Sequence, residues 1–398
     1  NMINLPKFAL PLGISFFTFQ SASYIIDVYQ GKYRCQNNVF KLGLFVSFFP
    51  QLLQGPIGRY DRLSSQLYEG NSFELKNVQY GLQRICWGLA KKVILADRAA
   101  VLVNMVFEDY DMYGGLLNIV AVLMYSVQLY MDFSGGIDVV IGTAQMFGIT
   151  MDENFRQPYF SKSIGEFWRR WHISLGAFFR EYVFYPVSTS KLFLKLNVKI
   201  RDHLGNVIGK VFAASIPILC VWVLTGLWHG AKWNYIAWGL YHGVLICMST
   251  LFEEPLAKLT KALRIKTDCI SWEIFRMLRT FILCVIGRLI FMGQGIRSSI
   301  WMIRSMVFDH SKVYNIVDEF SLSGREWRVL IFGCLLLLAV SIAQEIMERR
   351  GSTGDVREWL AKQNIVFKWL VMAAGLAFIA ICGVYGSGAG ASFIYEQF

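Results

Sequence analysis

Long apolar runs separated by short basic connections recur along the whole chain. A helix that crosses the hydrocarbon core of a bilayer needs about 20 mostly apolar residues. The stretches 207–229, 233–252, 272–294, 327–345 and 366–386 meet that length and predict spanning helices. A longer tract, 114–149, is interrupted by Phe133-Ser134-Gly135-Gly136 and reads as a broken span or two shorter segments. Residues 8–29 and 39–57 are apolar but hold Pro11, Pro50, Pro56 and several glycines. Such breaks survive at membrane depth only where protein or a cavity satisfies the freed backbone groups, so these stretches read as re-entrant or broken helices.

Two further stretches are amphipathic. Residues 76–107 mix Lys76, Arg84, Lys91, Lys92 and Arg98 with Val, Leu, Ile and Trp at helical spacing. Residues 163–184, "SIGEFWRRWHISLGAFFREYVF", set Phe167, Trp171, Leu175 and Phe178 three or four positions apart. That spacing makes one apolar stripe, with Arg169, Arg170 and Arg180 free to snorkel toward headgroups. Both stretches predict basic helices lying at the membrane interface.

Basic connections at 191–210, 258–266 and 346–357 are separated from one another by two predicted spans each. They therefore fall on one side, which the positive-inside bias makes cytoplasmic, and the C-terminus falls outside.

Composition supports a membrane class. The 398 residues are 55% hydrophobic and only 17% charged, against about 45–50% and about 25% in soluble domains. With a mean hydropathy of +0.42 and apolar runs continuing to the end, the simplest organisation is one membrane-embedded domain, 1–398. The net charge of +11 is spread over the connections and forms no contiguous face, which argues against nucleic acid. The eight cysteines are dispersed, without metal or redox spacing. The chain starts at Asn1 and is already apolar by Phe8, so a truncated natural N-terminus is expected.

Candidate chemistry is sparse. His203 and His310 sit in polar loops, and His242 in "GLYHGVL" reads as a hydrogen-bonded core residue. His172, beside Trp171, and His229, in "LTGLWHGAKW", are the two histidines whose surroundings suggest function. Ionisable groups within spans are rare and mark interiors, cavities or functional sites. Burial disfavours a charged imidazole, and a neutral one can take a proton from a hydroxyl attacking an activated acyl carbon. No HxxxH, CxxC or acidic triad supports a metal site, and no nucleophile elbow or phosphate-binding glycine loop is present. The carboxylates of Asp27, Asp132 and Asp138 are expected to pair structurally with Lys or Arg. "GSGAG" at 386–390 reads as a terminal turn.

Four stretches carry a resemblance: "FFPQLLQGPIGRYDRL" (48–63), "YMDFSGGIDVVIG" (130–142), "ENFRQPYFSKSIGEFWRRWHISLGAFFREYVFYP" (153–186) and "LTGLWHGAKWNYIAWGLYHG" (224–243). In this order they resemble the bacterial branch of the membrane-bound O-acyltransferases, nearest to the membrane subunits that acetylate alginate, peptidoglycan and cellulose. The teichoic acid D-alanyl transferases are more distant, and the closing "FIYEQF" resembles the alginate-type end. After Tyr185-Pro186 this chain runs "VSTSKLFLK" where that branch has a glycine-rich basic turn.

The resemblance implies an all-α polytopic helical bundle around a tunnel open to both sides of the bilayer. It places His229 as principal catalytic histidine, His172 as the second, and Trp171, Ser174 and Trp228 along the substrate path. It implies no tightly bound cofactor and no metal, but a thioester co-substrate, acetyl-CoA or an acyl carrier protein. Its implied partners are the bilayer, an exported SGNH/esterase-like acyltransferase and a cell-surface polysaccharide, in a bacterial cytoplasmic membrane. Two other classes compete. A secondary transporter or flippase would bind a coupling ion at Asp132, Asp138 and His229, but the chain lacks the internal symmetry of inverted repeats. A non-catalytic scaffold for an exported acyltransferase would tolerate loss of both histidines.

Overall fold

The computed structural model of the chain describes residues 13–309, 322–351 and 355–385. Pro11, His310, the turn at 386–390 and the closing "FIYEQF" lie outside them. The described residues fold almost entirely into helices. In the first half these are α1 (Ile14–Tyr29), α2 (Val39–Val46), α3 (Tyr60–Glu69), α4 (Leu75–Ala90), α5 (Asp97–Glu108) and α6 (Gly115–Met146). The middle holds α7 (Ile164–Arg170), α8 (Ile173–Phe179), α9 (Tyr185–Thr189), α10 (Lys191–Trp228) and α11 (Trp233–Leu251). Then come α12 (Glu253–Ala262), α13 (Ile270–Met292), α14 (Ile296–Phe308), α15 (Gly324–Arg349), α16 (Val356–Ala361) and α17 (Ile365–Cys382). A π-helical turn, Lys91–Ala96, joins α4 to α5 without a break.

Among the described residues, four helices are long and apolar enough to cross a membrane: α6, α10, α15 and α17. α11 and α12, bent by 55° at Phe252, pass the same test only as a pair. The stretch expected to span at 272–294 is the 23-residue helix α13, long enough to cross but carrying Glu273, Arg276, Arg279 and Arg288. Three of those charges have protein partners: Glu273 pairs with Lys162 at 2.7 Å and Arg349 at 3.0 Å, Arg279 donates to the Lys162 carbonyl at 3.0 Å, and Arg288 donates to Tyr159 Oη at 2.9 Å. α10 is two helices end to end, broken at Gly205 (φ 89°, ψ 164°), so its apolar part begins where the pattern at 207–229 placed it.

α6 departs from expectation. It runs as one 32-residue helix straight through Phe133-Ser134-Gly135-Gly136. The glycines serve a close helix crossing, not a break. A Cβ on Gly88 would lie 2.4 Å from the Gly135 carbonyl oxygen, and one on Gly81 would lie 2.5 Å from the Gly142 carbonyl oxygen. The seven-residue spacing on each helix puts both contacts on one face, and small residues let membrane helices approach backbone to backbone.

That crossing also overturns the interfacial reading of 76–107. Arg84 of α4 and Lys91 and Lys92 of the π turn point into α6, while Lys76 is exposed. Arg84 and Lys91 both reach Asp138, at 3.0 and 2.7 Å, and Arg84 also meets Glu153 at 2.5 Å. Lys92 sits between Asp132 at 2.6 Å and Asp97 at 2.9 Å. The amphipathic pattern was real, but its polar face buys neighbours in the protein rather than in headgroups. Asp132 and Asp138 thus pair structurally, as expected, and so does Asp27, with Lys32 at 2.7 Å. Asp27 also accepts from Tyr33 at 2.9 Å and Tyr182 at 2.7 Å.

α6 is mostly buried, whereas α17 has no buried residue and turns side chains such as Trp369, Leu370 and Ile381 outward. An apolar surface of that kind suits lipid, in which exposed leucine costs nothing.

Candidate functional site

The stretch 163–184, expected to be one interfacial helix, is broken at its two most informative residues. α7 ends at Arg170, and α8 begins at Ile173. Between them His172 takes a left-handed backbone, φ 48°, a conformation that costs energy for a residue with a Cβ and clusters at functional sites. A neighbouring segment holds it there. The Arg156 N–H donates to the Arg170 carbonyl at 3.0 Å, the Ile173 N–H donates to the Asn154 carbonyl at 3.0 Å, and Phe155 bridges Trp171. These bonds replace those a continuous helix would have made. The apolar stripe Phe167, Trp171, Leu175 and Phe178 is buried in the protein instead of facing lipid. Arg170 pairs with Glu345 at 2.7 Å and Glu166 at 2.9 Å, while Arg169 and Arg180 are exposed.

Asn154, which sequence reasoning passed over, orders this turn. It is fully buried. Its Oδ1 accepts from the Ser174 N–H and the Ser174 Oγ–H, both at 3.0 Å, and lies 3.3 Å from His172 Nδ1. Because a backbone N–H can only donate, the oxygen of the Asn154 amide must face Ser174. The signal available in the sequence was a single polar residue inside "ENFRQPYF", with nothing to mark it as buried. The His172 ring stands edge-on to Phe133, 4.9 Å between centroids. It lies between short helices and outside the spanning ones. Burial holds its pKa well below the usual imidazole value, and the neighbouring His229 pushes it the same way.

His229 is placed by a different device. α10 ends at Trp228, and Gly230 then turns the chain at φ 139°. His229 is left at the helix end, 8% exposed. Its ring lies 4.5 Å from Trp228, 5.1 Å from Trp238 and 5.0 Å from Phe291, between centroids. Asn234 fixes the far wall: its Nδ2 donates to the Phe291 carbonyl at 2.9 Å. The two histidines meet across one side chain. The Trp228 ring is 6.1 Å from the His172 ring on one side and 4.5 Å from His229 on the other.

Of the other residues expected on the substrate path, Ser174 is turned onto Asn154. Trp171 packs among Tyr130, Phe155 and Phe167. His172 and His229, 4% and 8% exposed, present no open face in this conformation. A shallow cleft lined by Pro56, Arg59, Arg62 and Asp152 includes neither of them. His242 is a core histidine as expected, its Nδ1 accepting from Trp168 Nε1–H at 3.3 Å, and His203 is exposed.

The chain is similar in sequence to known proteins. The sequence signature of the membrane-bound O-acyltransferase family matches residues 37–200, which include His172 but stop short of His229. The probable alginate O-acetylase AlgI of Pseudomonas syringae pv. tomato is 34% identical over 345 residues, 87% of this chain and 61% of the relative. A match that wide in 398 residues necessarily takes in both histidines. The peptidoglycan O-acetyltransferase of Helicobacter pylori is 31% identical over 75% of this chain and 57% of its own length. The teichoic acid D-alanyltransferase of Bacillus subtilis is 31% identical over 61% of this chain and 60% of its own. The chain spans about three-fifths of the length of these curated relatives. With two histidine motifs folded onto one tryptophan in an all-helical membrane bundle, and with relatives of this kind, the chain belongs to the membrane-bound O-acyltransferase family.

Proposed function

We propose that this chain is the membrane-embedded acyltransferase of a system that esterifies an exported cell-surface polysaccharide. An acyl thioester, acetyl on coenzyme A or on an acyl carrier protein, is presented from the cytoplasmic side of a bacterial membrane. The acyl group passes through a tunnel to a hydroxyl on the outer side, on the polysaccharide itself or on an exported SGNH/esterase-like partner. The names of the alginate and peptidoglycan relatives support acetyl and a polymer acceptor. The basic connections support the cytoplasmic placement of the donor, with the C-terminus outside.

The single observation that carries this reading is the meeting of His172 and His229 on the two sides of Trp228. In the proposed step a neutral His229 accepts the proton of the attacking hydroxyl as oxygen bonds to the thioester carbon. The tetrahedral adduct then expels the thiolate, which takes the proton back from the imidazolium. His172, its Nδ1–H directed at Asn154 Oδ1, offers Nε2 as an acceptor that holds the hydroxyl in line. General-base help contributes about 10²–10⁴-fold. Positioning in a dry site adds up to about 7–11 kcal/mol. The rings of Trp228, Trp238 and Phe291 exclude the water that would hydrolyse the thioester.

The test is acyl transfer by the complete protein in proteoliposomes, from radiolabelled acetyl thioester to polymer or partner. His229→Ala should abolish transfer while insertion and melting temperature are kept. His172→Ala should leave a small residue of activity. Wild-type transfer by His229→Ala would sink the mechanism, and a protein without both rings that still supports surface acetylation would establish a scaffold instead.

A further inference from the structure

Arg288 is buried on α13, 5% exposed, one helical turn before the Phe291 ring that packs on His229. Its surroundings are nearly neutral. Nη2–H donates to Tyr159 Oη at 2.9 Å, and the guanidinium lies 5.1 Å from the Tyr159 ring centroid and 5.5 Å from that of Trp171. Tyr159 donates its own proton to the Ser126 carbonyl at 2.6 Å, so the acceptor facing Arg288 is an uncharged hydroxyl. Nη1 is buried and has no hydrogen-bond partner among the described residues. Arg84, Lys91, Lys92 and Arg170 each meet a carboxylate, whereas among the described residues Arg288 meets none.

A guanidinium cannot shed its proton, and an ionised group in a dry interior is strongly disfavoured unless it is paired. Faces of Tyr and Trp compensate only in part. A charge kept under those conditions beside the residue preceding His172 is one whose counter-ion arrives from outside. The planar fork of arginine matches the paired oxygens of a carboxylate or phosphate.

We propose that Arg288 is an anion-binding residue of the reaction site, which receives on Nη1 a carboxylate or phosphate oxygen of a substrate. The acyl-transfer reading is needed only to say which substrate carries the anion. The charge argument stands apart from it. A phosphate would belong to the pantetheine-bearing donor, a carboxylate to a uronic-acid acceptor.

The experiment is thermal unfolding of the purified full chain in detergent, titrated separately with coenzyme A and with glucuronate. Wild type, Arg288→Met, Arg288→Lys and His229→Ala are compared. One of the two anions should raise the melting temperature of wild type and of His229→Ala alike. Arg288→Met should need at least tenfold more of it, with Arg288→Lys in between because it keeps the charge but loses the fork. Without ligand, Arg288→Met should melt at or above wild type, since it removes an uncompensated charge. The anion that acts identifies the source. The proposal is overturned if neither anion stabilises wild type, if Arg288→Met responds as wild type does, or if Arg288→Met without ligand melts well below it. Failure of the acyl-transfer reading looks different: His229→Ala would retain transfer, whatever the anion response.

Discussion

Replacing Gly88 with alanine probes the crossing that organises the buried half of the molecule. The new Cβ would sit 2.4 Å from the Gly135 carbonyl oxygen and 3.0 Å from Asp138 Cβ. A carbon–oxygen contact is comfortable at about 3.3–3.6 Å, so α4 must withdraw from α6 by about 1 Å. The obstructing atom is backbone and has no rotamer to escape into. Overpacking typically costs about 1–3 kcal/mol, and this site belongs at the upper end. The same withdrawal stretches the bonds of Arg84 and Lys91 to Asp138, where hydrogen bonds to charged groups are worth about 1.5–3 kcal/mol. Alanine returns about 1 kcal/mol of helix propensity. The net loss should be about 2–4 kcal/mol. Gly375→Ala on α17 is the control, because nothing lies within 4 Å of its Cβ position. It should melt at or slightly above wild type. Thermal unfolding of the detergent-purified proteins reads both. If Gly88→Ala were as stable as Gly375→Ala, the seam would not be a backbone contact and the account of α6 as one unbroken helix would fall with it.

Asn154→Ala should remove the acceptor shared by His172 and Ser174 and lower transfer by about 10²-fold, the usual effect of roughly 1 Å of misplacement; unchanged kinetics in proteoliposomes would deny Asn154 any role in positioning. Asp132→Asn removes one of the two carboxylates that meet the buried Lys92 among the described residues and should destabilise by about 3–5 kcal/mol at most. Asp152→Asn breaks a solvent-exposed pair with Arg62 and should cost under about 1 kcal/mol; equal melting temperatures for the two variants would show that the Lys92 pair is not buried.

The spans were legible because their signal is local. Length and apolarity place α15, α17 and the part of α10 beyond Gly205 within a few residues of their observed ends, because a bilayer asks only that a helix be long and greasy. His229 and His172 stood out as candidates for a related reason: each imidazole follows a tryptophan directly in the sequence. Hydrophobic pattern alone could not say what faced the polar stripe of α4. Headgroup and buried carboxylate select the same lysines and arginines, and only the approach of α6 distinguishes them. Likewise a glycine pair reads as a helix breaker in one dimension and as a contact seam in two.

The sequence by itself determined the membrane class, the apolar stretches of α10, α15 and α17, the family motifs and the two histidines as candidates, since each depends on residues near one another in the chain. The tertiary structure alone decided that α6 is continuous, that Arg84, Lys91 and Lys92 turn inward onto carboxylates, that Asn154 supports His172, and that Arg288 meets no carboxylate among the described residues. Those facts arise between segments far apart in sequence, where the cost of burying a charge or a backbone clash is set by which helix happens to pack alongside.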